Sequence, residues 1–587
     1  MSKWSTHIPR ALRLTVILSK AKNPRVRLPS AHRPTPSPAP TSPSRPSRLL
    51  RVFALQFLPL LLLSAFLPAC SPRETAVERG NRERIIHRGV GSDIADLDPH
   101  LAVNIAEMDI ISALFEGLVS EDPVDLHPVP GVAERWDVSP DALTYTFHLR
   151  ENARWSDESP VTAQDFVASW QRILTPSLGA DNASLLYVLQ GAQAFHQGTS
   201  TDFSSVGVTA TDARTLRVTL ERPTPHFLSL LTHTAWYPVK LSAISAHGSP
   251  YTRGTPWTRP GRLVSNGAFL LDEWQPNQFV AVSRSPFYWD ATTVRLRGIR
   301  FYPIDSRDAE ERMFRSNQLH LTYVLPNSKI DTYRETNPQF LRSDPYLNTY
   351  FLRLNTTHRS LADPRIRRAL SLALDRTALT QNILRGGQLP ATSLTPPNIP
   401  RYTPPDTPLS NPDEARRLLA DAGYPEGKGF PPLEFLYNTS ENHRLLAEAI
   451  QEMWRRELGL DVRLVNQELK VVQAERRAGR YQILFSDWVG DFLDPLTFLE
   501  IMRSDSGNNY TGWSDKSYDA LLFAAARNPD LSARAQQLRD AETTLLAAAP
   551  IIPIYYNTHT FLLRPSVKGW HPTLLDHHPY KHVWLEP

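Results

Sequence analysis

The chain has few residues capable of covalent chemistry. Its only cysteine, Cys70, follows Leu67-Pro68-Ala69 directly. That thiol can be alkylated or acylated, but it cannot form an internal disulfide, and cysteine-based zinc or iron–sulfur sites are excluded. The sequence has no GxSxG elbow, no HExxH, no phosphate-binding P-loop and no GxGxxG; Gly89-Val-Gly91 lacks the third glycine. A hydrolase would need a nucleophile–base or metal constellation, so no enzyme and no cofactor are expected. His577, His578 and His582 cluster near the C-terminus with only Asp576 at ligand spacing. They read as a solvated tail, with a metal site as the alternative. What remains is non-covalent chemistry. Asp491, three residues after Trp488, reads by itself as a loop or helix-capping aspartate. His443 opens an amphipathic segment, and Arg476 stands with Arg477 and Arg480 as one of three solvated arginines.

Charge narrows the partner. The 587 residues carry a formal charge of +4, yet residues 1–69 hold eleven Lys/Arg and no Asp or Glu. Without them 53 basic face 60 acidic residues, about −7. An acidic body argues against nucleic acid, which demands clustered positive charge. The leader itself is informative. Residues 52–66 form a short apolar run behind Arg48 and Arg51, interrupted by Pro59 and too short for the ~30 Å hydrocarbon core. Residues 49–69 therefore read as a signal peptide, and Leu-Pro-Ala-Cys70 resembles the bacterial lipobox, which implies a lipid anchor on Cys70. Residues 1–48, rich in Pro, Ser and Arg, cannot pack a core and read as a disordered extension or a mis-assigned start. Residues 70–82 read as a polar tether.

From Ile85 the pattern is mixed α and β. Alternating segments at 145–149, 215–220 and 279–283 predict half-buried strands. Leu446, Ile450, Met453, Trp454 and Leu458 recur at helical spacing until Gly459. Asp363-Pro364 opens a further helix expected to run over 365–379. Pro-rich stretches at 395–412 and 423–432 read as connectors.

About a dozen strings in order are more specific. They include Leu97-Asp-Pro-His100, Leu114-Phe-Glu-Gly-Leu118, Trp155-Ser-Asp157, Asn266-Gly-Ala-Phe269, Pro286-Phe-Tyr-Trp289, Asp363-Pro-Arg-Ile-Arg367 and Trp488-Val-Gly-Asp491. Together, from about Ile85 to the C-terminus, they resemble the oligopeptide-binding proteins of ABC peptide importers, extracellular solute-binding protein family 5. The resemblance implies an α/β, two-lobed clamp with a further domain inserted in the first lobe. Lobe I would comprise 83–117, 241–342 and 559–587, the inserted domain II 118–240, and lobe III 343–558, with chain crossings near Arg342 and Phe561.

The resemblance also implies a site. Asp491 would capture the ligand ammonium beside Trp488 and Val489. His443 and Arg476 would serve the ligand carboxylate, and Phe485 stands where an enteric member of the family has arginine. Asn438 and Asn508 would line the cleft, and a strand from Ala102 to Ala106, with Val103 and Ile105, would meet the ligand through its main chain. Two departures, Glu158 for a usual Gly and Asn317-Gln-Leu-His320 for Gly-x-x-Asp, would change turns only. The implied protein is a monomer on the extracytoplasmic face of the cell envelope, handing oligopeptides to ABC permease subunits. Dipeptide, cell-wall peptide, sugar, nickel or haem binding, and a sensing role, remain open on sequence.

Overall fold

A computed structural model describes residues 74–586. The extension 1–48, the signal peptide 49–69 and the anchor Cys70 lie outside the described residues. No described helix is long and apolar enough to cross a membrane.

Three sheets carry the architecture. Lobe I is built on a four-stranded sheet ordered Ile85–Gly89, Gly298–Tyr302, Phe279–Arg284, Phe269–Gln275, in which the first pair is parallel and the rest antiparallel. Domain II carries the antiparallel sheet Ala133–Val138, Thr144–Leu149, Thr215–Thr219, Val208–Ala210. Thr144–Leu149 alternates half-buried and buried residues, as a sheet with one face on a core requires. Lobe III is built on a six-stranded mixed sheet. There Leu433–Asn438 runs parallel to both Val462–Gln467 and Ile483–Val489, which in turn pairs antiparallel with the long strand Leu341–Leu354. Leu341–Leu354 and Ile551–Leu562 form a continuous ribbon between lobes I and III. Arg342 and Phe561 stand opposite each other in it, and its register breaks between Pro345 and Thr349.

The clearest helix of lobe III, Glu441–Leu458, buries Leu446, Ile450, Met453, Trp454 and Leu458 against this sheet and ends at Gly459, whose φ of 66° closes the last turn. Trp454 also donates its indole N–H to Leu370 O at 2.8 Å.

Four local expectations need correction. The polar segment read as a tether is, from Thr75, a docked helix: Ala76–Glu83 begins with a reciprocal Thr75–Glu78 capping box and buries Val77. The expected strand at 102–106 does not form, because Asn104 and Glu107 make a second capping box that starts the helix Ile105–Leu114. The helix after Asp363 stops at Leu372, and Asp375 caps a new turn at Arg376–Ala378. The C-terminal histidines are no solvated tail: His578 is buried, stacked 3.8 Å from Trp570, and His577 reaches domain II. Nor do they gather as metal ligands, since among the described residues the group close enough to share an ion is Asp122, Asp125 and His127 on an exposed turn.

Candidate functional site

A cavity of about 740 Å³ lies where lobe I, domain II and lobe III meet, and a smaller one of about 360 Å³ adjoins it at Asp491. Lobe III forms one wall with the end of the strand Ile483–Val489. The pairing of that strand with Leu433–Asn438 ends at Leu436–Leu484, so residues 486–489 present an outer edge with no strand partner. Asp491 follows at once. Its backbone N–H donates to Thr497 Oγ1 at 3.0 Å, while its carboxylate has no hydrogen-bond or ion-pair partner among the described residues. The helix-capping duty in this loop falls to Asp494, which accepts from Leu496 N and pairs with Arg534 at 2.8 Å. Asp491 touches cleft solvent yet is crowded by protein, and this burial raises its carboxyl above the usual range. A desolvated anion without a counter-ion is a site for a cation.

Five of the expected site residues line the larger cavity: Val103, Ile105, His443, Val489 and Asp491. Val103 and Ile105 are about half exposed and get there on a helix start. Trp488 and Asn508 line the smaller cavity with Asp491, and the Trp488 indole N–H has no partner. Three residues stand behind the walls. Asn438 Oδ1 lies 2.9 Å from His443 Nδ1 and accepts from it in the tautomer that carries the proton on that nitrogen. Phe485 is buried, 4.7 Å from the His443 ring and 5.7 Å from Tyr350. Arg476 turns away to lie 4.8 Å over Tyr510 and lines neither cavity.

The physical character of His443 follows from those neighbours. Burial lowers its pKa to about 4, against a weaker opposing bond to Asn438, so the imidazole is neutral near pH 7. With Phe485 beside it, and with Tyr350 stacked 4.6 Å from Tyr555, the part of the wall around His443 is aromatic and uncharged. Tyr350 and Tyr555 do not stand out in the sequence, since both sit in strands whose residues read as ordinary core.

The facing wall is dense with ion pairs. Arg88 pairs with Asp109 at 2.7 Å, Lys581 with Glu116 at 3.0 Å, and His577 with Glu121 at 3.0 Å. Glu116 also accepts from Tyr288 and from the Trp289 indole, both at 2.5 Å. Asp576 takes His559 at 2.8 Å and His578 at 3.0 Å; burial would raise its carboxyl, but the His559 charge and these bonds hold it well below the ordinary range. Burial alone would lower the His577 pKa, but Glu121 raises it to about 9, although nearly half its side chain faces the cleft.

A two-lobed α/β clamp whose cleft exposes an unpaired strand edge and an unpartnered carboxylate defines a class: a protein that encloses a small solute. The comparisons give the family. The sequence model of bacterial extracellular solute-binding proteins, family 5 Middle, matches residues 127–510, and the chain belongs to that family. The chain is 35% identical to the periplasmic oligopeptide-binding protein OppA of Salmonella typhimurium over 525 residues, 87% of this chain and 93% of that protein. It is 36% identical to the periplasmic murein peptide-binding protein MppA of Escherichia coli over 491 residues, 82% of this chain and 89% of that one. The unliganded open form of MppA superposes with a TM-score of 0.76 at 34% identity, covering 88% of this chain and 99% of that structure. Like these relatives, the protein is a binding protein and not an enzyme.

Proposed function

We propose that this protein captures oligopeptides at the extracytoplasmic face of the cell envelope, tethered by a lipid on Cys70, and delivers them to an ABC permease. The observation that carries the reading is the unpartnered Asp491 carboxylate at the end of a strand edge that has lost its partner. An extended peptide can add itself to that edge through main-chain hydrogen bonds while its α-ammonium meets Asp491. Trp488, Val489 and Asn508 would flank the first ligand residue, and Val103 and Ile105 would face it from lobe I. Side chains would enter the remaining cavity, where water can adapt to different residues.

The domain limits follow the same reading: lobe I at 83–117, 241–342 and 559–587, domain II at 118–240, lobe III at 343–558. Closure would bend the ribbon at its register break between Pro345 and Thr349. The relatives named for oligopeptides and for murein peptides support a peptide ligand of this kind.

Native mass spectrometry of the purified full chain tests the proposal. A ladder of retained peptides, released by denaturation, is the expected result. A retained sugar or metal, or failure to bind any free-amine peptide after unfolding and refolding, would overturn it. The anchor is tested separately by the mass of the mature N-terminus, which should carry acyl chains on Cys70.

A further inference from the structure

Seven side chains that line the main cavity carry a carboxylate, ammonium or guanidinium: Asp109, Glu116, Glu121, Arg307, Asp491, Asp576 and Lys581. Five of them are matched to an ion partner inside the protein, as described above. Two remain without one among the described residues, and they are of opposite sign: Asp491 in lobe III and Arg307 in lobe I. Arg307 opens the helix Arg307–Arg315 behind the cap Ser306, is solvent-exposed, and makes no ion pair even with its sequence neighbours Asp305 and Asp308. A cation in the first turn opposes the helix dipole, so helix stability does not account for it.

The lobe III wall meanwhile offers no positive charge to a ligand. Phe485 is an aromatic ring, His443 is neutral and bonded to Asn438, and Arg476 lies on Tyr510 outside the cavity. Arg307 faces the same space as Tyr350 of that wall, and its charge is felt at the Tyr350 phenol.

We propose that Arg307 is the specificity-determining cation of the cleft: it binds the ligand's carboxylate from lobe I while Asp491 holds the ammonium from lobe III. The inference rests on the peptide-binding reading. A zwitterion bridging the two charges pulls the lobes together, so the separation of its termini selects ligand length and couples binding to closure. The aromatic wall at Tyr350 and Tyr555 receives an apolar side chain between the two ends.

The test uses the full chain and oligo-alanine peptides of two to five residues, each as free acid and as C-terminal amide, read by titration calorimetry. The wild type should prefer the acid of its best length by about ten- to a hundredfold. Arg307→Gln should abolish that preference while keeping the preference for a free over an acetylated amino terminus, and Arg307→Lys should restore part of it. The acid preference should be flat between about pH 6 and 8. Retention of the full preference in Arg307→Gln overturns the proposal, as does its loss in His443→Gln with proton uptake on binding. If the wild type binds none of the peptides, the peptide-binding reading itself fails. If it binds them and only Asp491 variants matter, the reading stands and the role of Arg307 falls.

Discussion

Replacing Asp491 by Asn removes one negative charge and keeps the side chain's shape, so it isolates the ammonium contact. The cleft holds this carboxylate partly desolvated, which raises its pKa, with no hydrogen-bonding partner among the described residues to offset that. A ligand ammonium at about 4 Å would gain about 4 kcal/mol at an effective dielectric of about 20. Water in the cleft discounts this, so about 2–4 kcal/mol, roughly thirty- to seven-hundredfold in Kd, is the expected loss. The assay is calorimetry with one tripeptide as free amine and as N-acetyl derivative. The wild type should favour the free amine by that factor, and Asp491→Asn should bind both forms equally weakly. The sign of the pH effect is fixed as well. Capture needs the carboxylate, so wild-type affinity for the free amine should fall as acid protonates Asp491 through its raised pKa. The Asn variant should show no such fall. Equal wild-type affinity for the two peptides, or an unchanged pH profile in Asp491→Asn, would refute the reasoning.

Other perturbations probe the frame. Asp98 is buried and receives Arg172 Nη1 at 3.0 Å and Nη2 at 2.5 Å, joining lobe I to a helix of domain II; Asp98→Asn should destabilise by about 3–5 kcal/mol in denaturant unfolding, because Arg172 is left unmatched. Glu158 sits at φ 70°, a left-handed conformation that disfavours any side chain, so Glu158→Gly should stabilise by about 0.5–1 kcal/mol without altering peptide affinity. Burial lowers His87, His100, His226, His233, His443 and His578 to about 4, and His320 to about 3. Their unfolded forms titrate near 6.5, so stability present above that pH should drain away as pH falls toward 4. Burial also raises Glu310 and Glu542 to about 7, and these contribute in the opposite sense, losing stability as pH rises through 7. Asp96, Asp109, Asp344, Asp487, Asp491 and Glu500 are raised by burial too and share that sense; the histidines' loss against them is read as a thermal midpoint that should fall from about pH 6.5 to 4.5.

The motifs legible in the sequence are those whose partners lie near in the chain or whose pattern repeats. The helix Glu441–Leu458 announced itself by its apolar spacing and its terminal Gly459. Leu97-Asp-Pro-His100 marked a real junction, because Asp98 and His100 both meet Arg172. Two helix starts are encoded in the sequence but masked: Thr75-x-x-Glu78 and Asn104-x-x-Glu107 are capping boxes, hidden by polar composition in one case and by an apolar run in the other. Glu158 and Asn317, at the two positions where the sequence departs from the family's usual glycine, both adopt the positive φ that glycine takes most easily. The pairs that neutralise the cleft were not legible. Glu121 and His577 lie 456 residues apart, and Glu116 and Lys581 lie 465 apart, so no local pattern relates them. Arg476 misled for the converse reason: its position fits the family's motif, but its side chain is held by Tyr510.

The C-terminal segment has a physical role that its histidine-rich composition concealed. Within a few residues it supplies Asp576, His577 and Lys581, which pair with His559, Glu121 and Glu116, while His578 bonds Asp576 inside the segment. These internal pairs let the wall of a polar cleft carry many charged groups while showing a ligand few free ones. The desolvation of the paired groups is offset within the protein before any ligand arrives, so ligand binding does not have to break them. Removing one partner should therefore act on the ligand indirectly. In Glu121→Gln, His577 loses the group that holds its pKa near 9, and its titration should move down toward neutrality. Above that lowered pKa the cleft then keeps its net charge; below it a new unpaired imidazolium faces the ligand. Affinity for an acidic peptide should accordingly rise on acidification in Glu121→Gln more than in the wild type. An identical pH dependence in both proteins would mean that His577 is shielded from the ligand and serves only to bind the C-terminal segment to domain II.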